Sequence, residues 1–428
     1  MKNIDKYLHQ YSEIRFSMQE FPRSYDACLV IPMSNEFPLF TQLLDQLPPT
    51  KKGRLLVIIV INNGIHSRKD IKGNNQQSLN YFKSKKIVWK HSTKSIFLFD
   101  GCYFDGLIVD KVNHPLPEEN VGLARKLGTD IAIKLYAQNQ LSTPWVHQTD
   151  ADALLPHDYW KEIPFDPNIT GAITFPFKHD SDSKDCNSLQ ACQLYEISLR
   201  HYRMCLQKSY PTYAYHTIGS TLALSIPLYC KVRGYPKRTA GEDFYLLNKL
   251  RKISDIAYLH THPIILSPRV STRTPFGTGQ NVLKILENNL LDYPIFHQPK
   301  AFDHLNIALK HILNHAPEKL FHPNNCNIYI EIMQRIGLSK TLLNQQKSSQ
   351  PVHKKTGIIN AFDGLKILRF LHDIRDNHLP FISLRSLLKH PMYDLPVNTP
   401  ISEILDHITM MDIALFKNKP SLQEVTNS

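Results

Sequence analysis

The stretch Leu55–Ile61, which reads LLVIIVI, and the run ACLVIP at residues 27–32 decide the fold class. Both are short, continuous apolar runs rich in Val and Ile, and polar or turn residues follow each of them. Such runs are typical of strands buried on both faces of a parallel sheet. Between them, residues 37–47 carry apolar side chains at helical spacing and end before Pro48-Pro49. The order strand, helix, strand predicts an α/β fold that opens as a doubly wound parallel sheet.

The pattern continues beyond this unit. Further strands are predicted at residues 145–149, 171–177, 220–226 and 257–266, and helices at 120–135, 192–207 and 242–251. From residue 281 the pattern is mainly helical, and residues 344–357 (NQQKSSQPVHKKTG) have linker composition. We therefore expect an N-terminal extension, an α/β domain, a helical extension, a linker and a helical C-terminal segment, at residues 1–26, 27–280, 281–343, 344–357 and 358–428.

The composition of the 428 residues, 42% apolar and 21% charged, is that of a globular protein and excludes a disordered or fibrous chain. Lys and Arg number 50 against 38 Asp and Glu, which gives a net charge of +12. This surplus favours anionic partners, such as phosphorylated ligands, anionic lipid surfaces or nucleic acid. No zinc-finger or RNA-recognition motif accompanies the charge, so we expect no nucleic-acid partner.

Cysteine usage and hydropathy indicate the compartment. The seven cysteines show no paired metal-ligand spacing, and their odd number argues against a disulfide framework. Residues 1–23 lack the apolar stretch of a signal peptide, and the longest apolar run, Leu55–Ile61, is too short to span a bilayer. We therefore expect a cytoplasmic protein, soluble or peripheral at the inner face of the membrane. Membrane contact and docking onto a core are the alternatives for a predicted helix with the apolar face Phe362, Leu365, Leu368, Leu371 and Ile374.

Two carboxylates, Asp150 and Asp152, follow the predicted strand at residues 145–149. Ligands of open α/β sheets bind at the carboxyl ends of the strands. Mg²⁺ or Mn²⁺ takes few protein oxygens and completes its coordination with water and substrate phosphates, so these two residues suffice to hold one ion. The alternative is a solvated loop in which the two residues cap a helix.

A second acidic pair, Glu242-Asp243, follows Gly241 and opens a predicted helix. The helix dipole stabilises acidic residues in a first turn, so a simple charge preference can account for the pair. A carboxylate near a bound sugar donor can also act as a general base, taking the proton from an acceptor hydroxyl that attacks a sugar carbon. The functional interpretation requires the metal site to lie nearby.

Together these motifs resemble those of the family 2 glycosyltransferases. The resemblance implies an α/β fold of the GT-A type, with a Rossmann-like, mixed and mostly parallel sheet and flanking helices, followed by the mainly helical C-terminal region. The similar segments follow the family's order over about residues 27–279: LVIP with Asn35-Glu36, NVGLARKLG at residues 120–128, Asp150-Ala151-Asp152, HTIGS at 216–220, and Gly241-Glu242-Asp243. The resemblance implies that a sugar moves from a nucleotide-diphosphate donor to a hydroxyl of a glycan, a lipid-linked molecule or another acceptor.

The resemblance also implies roles for single residues. Asp152 is then the main ligand of Mg²⁺ or Mn²⁺, and Asp150 contacts both the metal and the donor ribose. Arg125 contacts the donor diphosphate or base, Asp243 is the catalytic base, and Glu242 helps to orient the acceptor. The other expected donor-binding residues follow the first two strands: Pro32, Asn35, Glu36, Asn62 and Asn63.

One segment departs from the family's pattern, and two others have open alternatives. Where the family usually carries acidic residues after its second strand, this chain has Asn62-Asn63-Gly64, so its contacts to the ribose and base must differ. GT-A enzymes often add a His ligand after the base, and His260 and His262 would share one face of the strand predicted at 257–266, unless they are structural. Beyond them, a basic segment with Arg269, Arg273 and FGTG at residues 276–279 either closes over a diphosphate or forms an ordinary loop.

The expected reaction is an inverting, metal-dependent transfer in which the metal and Arg125 stabilise the leaving nucleoside diphosphate. One rival is a nucleotidyltransferase, which should carry a Gly-rich basic loop after the first strand, where this chain has MSNE at residues 33–36. The other is a catalytically silent glycan- or nucleotide-binding protein, against which the joint presence of Asp152 and Asp243 speaks. Because the motifs end near residue 279, we expect the chain beyond residue 344 to be dispensable for donor binding.

Overall fold

A computed structural model describes residues 2–18, 20–51, 53–93, 95–118, 120–180, 185–268, 278–288, 290–315, 321, 327–346 and 351–416. The chain divides into two compact units. Unit 1 comprises Met1–Asp182 and Thr217–Gly277, and unit 2 comprises Ser183–His216 and Thr278–Ser428. In the described ranges, no helix has the length and apolar character needed to cross a bilayer. The six cysteines of these ranges are free thiols.

Unit 1 is built on a sheet that has nine strands in the described ranges. In chain order these are β1 Ala27–Met33, β2 Leu55–Ile61, β3 Ile87–Lys90, β4 Ile96–Asp100, β5 Phe104–Asp110, β6 Trp145–Gln148, β7 Thr170–Thr174, β9 Leu222–Ser225 and β10 Asp255–Tyr258. Their order in space is β10, β7, β9, β6, β1, β2, β5, β4, β3. Of these strands, β4 and β9 run in the direction opposite to the other seven. The mixed, mostly parallel sheet confirms the predicted fold class.

The centre of this sheet is buried because its strands are apolar on both faces. All seven residues of β2 are buried, and β2 lies between the parallel strands β1 and β5. β1 also pairs in parallel with β6. Strands that run in one direction end at one edge, so the segments after β1, β2 and β6 emerge together. This edge carries the residues that the sequence singles out.

The helices of unit 1 are α1 Lys2–Gln10, α2 Phe40–Asp45, α3 Lys69–Lys83, α4 Val121–Ala137, α6 Ile226–Lys231 and α7 Glu242–Arg251. α1 is part of unit 1, although the sequence suggests only an extension there. The hydroxyl of Tyr7 donates to Asp130 Oδ1 of α4 at 2.5 Å and accepts from Lys126 Nζ at 2.5 Å. The backbone N–H of Glu13 donates to the other oxygen of Asp130 at 2.7 Å. The buried carboxylate therefore anchors the start of the chain on α4.

The prediction of a single strand at residues 257–266 is wrong. β10 ends at Tyr258, and a separate strand, β11 Ile264–Leu266, pairs in parallel with β8 Phe177–His179 in a small second sheet. Residues 259–263 lie between β10 and β11 outside any strand. Strands β3 to β5 and helix α3 are also absent from the sequence prediction.

Unit 2 is helical, as expected of the C-terminal region. Its described helices are α5 Cys186–Ser209, α8 Thr278–Leu286, α9 Pro299–Asn314, α10 Ile328–Arg335, α11 Leu338–Gln346, α12 Pro351–Ala361, α13 Gly364–Asn377, α14 Leu384–Leu387 and α15 Ile401–Phe416. The segment 344–357, with its linker composition, thus contains the end of α11 and the start of α12. The buried face of α13 consists of Ile367, Phe370, Leu371 and Ile374, which pack into the core of unit 2.

A buried ionic cluster joins α5 and α15, the first and last described helices of unit 2. Asp412 of α15 lies against Arg203 and Arg200 of α5, with Arg200 Nη1 3.1 Å from Asp412 Oδ2. His216 Nε2 is 2.8 Å from the same oxygen. Burial acts to raise the pKa of Asp412, but the attraction of His216, Arg203 and Arg200 lowers it to about 2. The carboxylate is therefore charged at neutral pH, and α5 and α15 are held together although about 200 residues separate them in the chain.

Candidate functional site

The segments after β1 and β2 bring together the polar residues that the sequence predicts to bind a donor. Asn62 and Asn63 are buried directly after β2. Glu36 is buried, Pro32 is half-buried at the end of β1, and Asn35 is exposed with a left-handed φ of 58°. The Oδ1 atom of Asn62 is buried without a hydrogen-bond partner in the described part of the chain. A ligand group that donates a hydrogen bond could satisfy this oxygen.

Asn75 of α3, which the sequence does not single out, ties the two segments together. Its Nδ2 donates to the carbonyl of Asn62 at 3.0 Å and to Oδ1 of Asn63 at 3.1 Å. Its Oδ1 accepts from the backbone N–H of Asn35 at 2.7 Å. A fully buried Asn in mid-helix must find its partners in tertiary structure. Asn75 thus fixes the spacing of the β1 and β2 ends.

Arg125 connects the two acidic motifs. It lies in the first turns of α4, where the side chain of Asn120 caps the helix by accepting from the backbone N–H of Leu123 at 2.9 Å. Arg125 Nη2 is 2.6 Å from Asp150 Oδ1, and Nε is 3.0 Å from Glu242 Oε1. The Arg125 side chain is 3% exposed, whereas that of Asp150 is 42% exposed. The structure therefore places Asp150, at the end of β6, and Glu242, at the start of α7, on one buried guanidinium.

Glycine makes room for this guanidinium. A Cβ atom at Gly219 would lie 2.7 Å from Arg125 Nη2, which is closer than side-chain atoms pack. The third guanidinium nitrogen, Nη1, is buried and lacks a hydrogen-bond partner among the described residues. Asp150 and Glu242 outweigh the effect of burial and raise the pKa of Arg125, which stays charged.

Asp243 follows Glu242 in the first turn of α7. Gly241, just before the helix, has a left-handed φ of 69°, a conformation that most other residues adopt only with strain. Asp243 is half-buried, and its Oδ1 accepts from the backbone N–H of Phe244 at 2.7 Å. The surrounding protein and the charge of Glu242 raise the pKa of Asp243 to about 7. Asp243 can therefore exchange a proton near neutral pH.

Tyr235 is a further residue that the sequence does not single out. It is buried, its hydroxyl has no hydrogen-bond partner in the described ranges, and it interacts electrostatically with Arg125 and both carboxyl groups of α7. Burial raises its pKa, so the hydroxyl is neutral and can donate a hydrogen bond. A lone Tyr after a turn gives no sequence signal of this kind.

Asp150 and Asp152 are half-buried and lie two positions apart just after β6. Asp150 contributes Oδ1 to Arg125, and its side chain remains partly open to solvent. The donor set fits Mg²⁺ or Mn²⁺, because such an ion needs only one or two protein carboxylates when phosphates and water complete its shell.

The predicted placement of His260 and His262 on one face of a strand is wrong. Both lie in the loop between β10 and β11, because the chain leaves the large sheet at Tyr258 and enters the small one at Ile264. The two side chains are exposed, and His262 lies beside His157 and Asp158. In the described residues, this trio is the group of three ligand-type side chains close enough to share an ion, and it includes neither Asp150 nor Asp152. Arg269, Arg273 and residues 276–277 of the predicted basic segment lie outside the described residues.

No protein-family model matches the chain, and no curated protein matches it. Among solved structures the chain is similar to S. aureus TarS 1-349 in complex with UDP-GlcNAc, with 11% identity, a TM-score of 0.37, and coverage of 82% of this chain and 91% of that one. It is also similar to the mannosyltransferase PcManGT from Pyrobaculum calidifontis in complex with GDP-Man and Mn²⁺. There the identity is 12%, the TM-score is 0.32, and the coverage is 96% of this chain and 93% of that one. Both structures hold nucleotide sugars, but similarity at this level leaves the case for function to the chain's own residues.

Proposed function

We propose that this chain is a glycosyltransferase that moves a sugar from a nucleotide-diphosphate donor to an acceptor hydroxyl, with inversion and with Mg²⁺ or Mn²⁺. One observation carries the proposal: buried Arg125 is paired with both Asp150 and Glu242. This pairing links the expected metal motif to the motif that contains the candidate base, Asp243. The condition that the sequence leaves open, proximity of the two acidic motifs, is thus met by the geometry.

The charges near Arg125 support the need for a cation. In the described residues Asp150, Glu242 and Asp243 all act electrostatically on this one guanidinium. Once the three carboxyl groups are ionised, their sum with Arg125 is negative. A diphosphate adds further negative charge and would be repelled unless a divalent ion accompanied it. Nε and Nη2 of Arg125 already pair with Glu242 and Asp150. We therefore propose that Arg125 positions these two carboxylates, in place of the expected diphosphate contact.

The proposed reaction uses the chain's own groups as follows. Asp243, in its ionised form, accepts the proton of the acceptor hydroxyl. The hydroxyl oxygen bonds to the anomeric carbon of the donor sugar, and the bond from that carbon to the diphosphate oxygen breaks. The nucleoside diphosphate leaves with the bonding electron pair. Asp150 and Asp152 would hold the divalent ion, which when bound neutralises charge on the diphosphate.

The donor nucleotide would lie along the ends of β1 and β2. Asn62 offers a buried acceptor oxygen there, Asn63 is fixed by Asn75, and Pro32, Asn35 and Glu36 line the neighbouring segment. An amide reads a base or ribose by hydrogen bonds without charge, so selectivity among nucleotides depends on shape and hydrogen-bond pattern.

The experiment that tests the proposal is a screen of the purified full-length chain against nucleotide sugars, with released nucleoside diphosphate as the readout. With the active donor, Asp152→Asn and an excess of chelator should each lower release by at least about a hundredfold. A matched control, Asp166→Asn, changes a carboxylate that lies outside the site and should keep wild-type release. Full activity in chelator contradicts metal dependence. Release of pyrophosphate from a nucleoside triphosphate and a sugar phosphate would instead identify a nucleotidyltransferase.

A further inference from the structure

Three side chains that commonly bind metals meet away from Arg125. One ligand atom from each of His157, Asp158 and His262 lies within 4.8 Å of the other two. Nδ1 of His262 is 3.2 Å from Asp158 Oδ2, and the ring centroids of His157 and His262 are 4.5 Å apart. Both imidazoles are exposed and the carboxylate is half-buried, so an ion can enter from solvent.

The backbone holds this group together across about 100 residues of chain. His157 and Asp158 lie in the turn that follows Pro156, and His262 lies in the β10–β11 loop. The N–H of His262 donates to both oxygens of Asp158, at 3.1 and 3.2 Å. Nearby, Leu154 and Ile265 exchange two backbone hydrogen bonds of 2.9 Å each. The two segments are thus already in register, and little further ordering is needed to bind an ion.

We propose that His157, Asp158 and His262 form a binding site for a transition-metal ion of the Zn²⁺ type. Imidazole nitrogen suits Zn²⁺ and its first-row neighbours, whereas Mg²⁺ and Ca²⁺ favour sites built from oxygen alone. Two His and one Asp supply three ligands, which leaves the fourth position of a tetrahedral ion for water. The nitrogen-rich donor set differs from the two carboxylates of Asp150 and Asp152, so the two sites select different metals.

A bound ion would cross-link the segment that follows Asp152 to the loop that follows β10. The contacts that already join them include the N–H and Nδ1 of His262 on Asp158, and Lys161 Nζ, which donates to the carbonyl of His260 at 3.1 Å. Metal–ligand bonds form only in the folded chain, so the ion stabilises the native state in proportion to its affinity. The inference goes beyond the proposed function and uses none of its residues.

The test compares Zn²⁺ binding by calorimetry, and Zn²⁺-dependent melting, in the metal-free full-length chain and its variants. We expect wild type to bind one more Zn²⁺ ion than His157→Ala or His262→Ala, or these variants to bind it at least about tenfold more weakly. The rise in melting temperature with Zn²⁺ should shrink in the same variants. His260→Ala, which alters the other exposed His of the loop, and Asp152→Asn, which alters the proposed donor-metal site, should keep both properties.

Equal stoichiometry, affinity and melting shift in all these proteins would overturn the site. Circular dichroism of the metal-free variants checks that they fold, and visible absorption of Co²⁺-loaded protein gives a second readout of imidazole ligation. Loss of the Co²⁺ bands in His262→Ala but not in His260→Ala supports the assignment. Because Zn²⁺ binding is measured without a nucleotide sugar, its outcome is independent of the transferase assay.

Discussion

Two adjacent carboxyl groups, Glu242 and Asp243, meet different surroundings at the start of α7. Glu242 is buried and pairs with Arg125. In the described residues no ion pair is formed by Asp243, and the charge of its neighbour adds to the effect of burial on its pKa. Two neighbouring carboxyl groups in different surroundings can take separate roles. In the proposed reaction Glu242 therefore fixes the position of Arg125, and Asp243 accepts the proton of the acceptor hydroxyl.

Asp243→Asn should separate binding from chemistry. The amide keeps the size of the side chain but cannot accept a proton, so turnover should fall by about two or more orders of magnitude while donor affinity changes little. Single-turnover kinetics and calorimetry with the donor measure the two quantities. The matched control is Asp45→Asn, which changes an exposed carboxylate on α2. Lost donor affinity with preserved turnover would move Asp243 to the nucleotide site.

The raised pKa of Asp243 gives the same residue two pH signatures. As a base it acts when ionised, so kcat/KM should rise with pH through about 7 and then level off. Its folded pKa exceeds the ordinary value, so the native state holds this proton more tightly than the unfolded chain. Stability should therefore decrease as pH rises from about 4 to 7. Above pH 7, Asp243→Asn should melt at a higher temperature than wild type.

At the scale of elements, sequence patterns succeed where a strand is uniform and fail where tertiary partners decide. The seven apolar residues of β2 give its bounds directly. β5 contains Asp105, a completely buried carboxylate that would not be expected inside a strand. Its partners are Arg23, Arg54 and Tyr25, which come from other segments. Their ion pairs and hydrogen bond offset the free-energy cost of burying the carboxylate. The periodicity of the residues around Asp105 cannot predict such partners, because they are distant in the sequence.

In the candidate site, too, the motifs could be predicted from the sequence but the contacts between them could not. The motifs around Arg125, Asp150 and Glu242 are visible in the sequence because each combines a specific residue type with the end or start of an element. That Arg125 joins the two carboxylates is not visible, because the contact spans β6, α4 and α7. His260 and His262 were misplaced because apolar residues on both sides of them look like one strand. The chain in fact leaves the large sheet at Tyr258 and enters the small one at Ile264, and both His residues lie in the loop between them.

Among elements, α1 provides a test of how the N-terminal segment contributes. Tyr7→Phe removes the hydroxyl that donates to buried Asp130 and accepts from Lys126, while the ring can stay in place. The free energy of unfolding should fall by about 1–3 kcal/mol, because a buried carboxylate loses a partner. Denaturant titration measures the change. Tyr11→Phe, in the same segment, is the control and should change stability by less than about 0.5 kcal/mol. Equal effects of the two substitutions would contradict the anchoring role.

At the scale of the whole molecule, the second unit is discontinuous in sequence. Its first segment, Ser183–His216, contains α5 and lies between the two segments of unit 1 in the sequence. The rest of unit 2 begins at Thr278. α15, near the end of the described chain, packs along α5 and shares the Asp412 cluster with it. A cut at residue 344 would therefore remove a structural partner of α5. The expectation that the chain beyond residue 344 is dispensable for donor binding is better tested by a point substitution than by truncation.

Asp412→Ala removes the common partner of Arg200, Arg203 and His216, and so takes a negative charge out of a buried cluster that holds two guanidinium groups. Unit 2 should lose about 3–5 kcal/mol of stability, seen as faster hydrogen exchange in α5 and α15. Asp406→Ala, an exposed site on α15, should change exchange little. Since the pKa of Asp412 is lowered to about 2, its stabilisation is present above about pH 4 and is lost as pH falls toward 2. The proposed donor residues all lie in unit 1, so calorimetry with folded Asp412→Ala should give nearly wild-type donor affinity. Lost affinity would contradict the expectation that the C-terminal part is dispensable for donor binding.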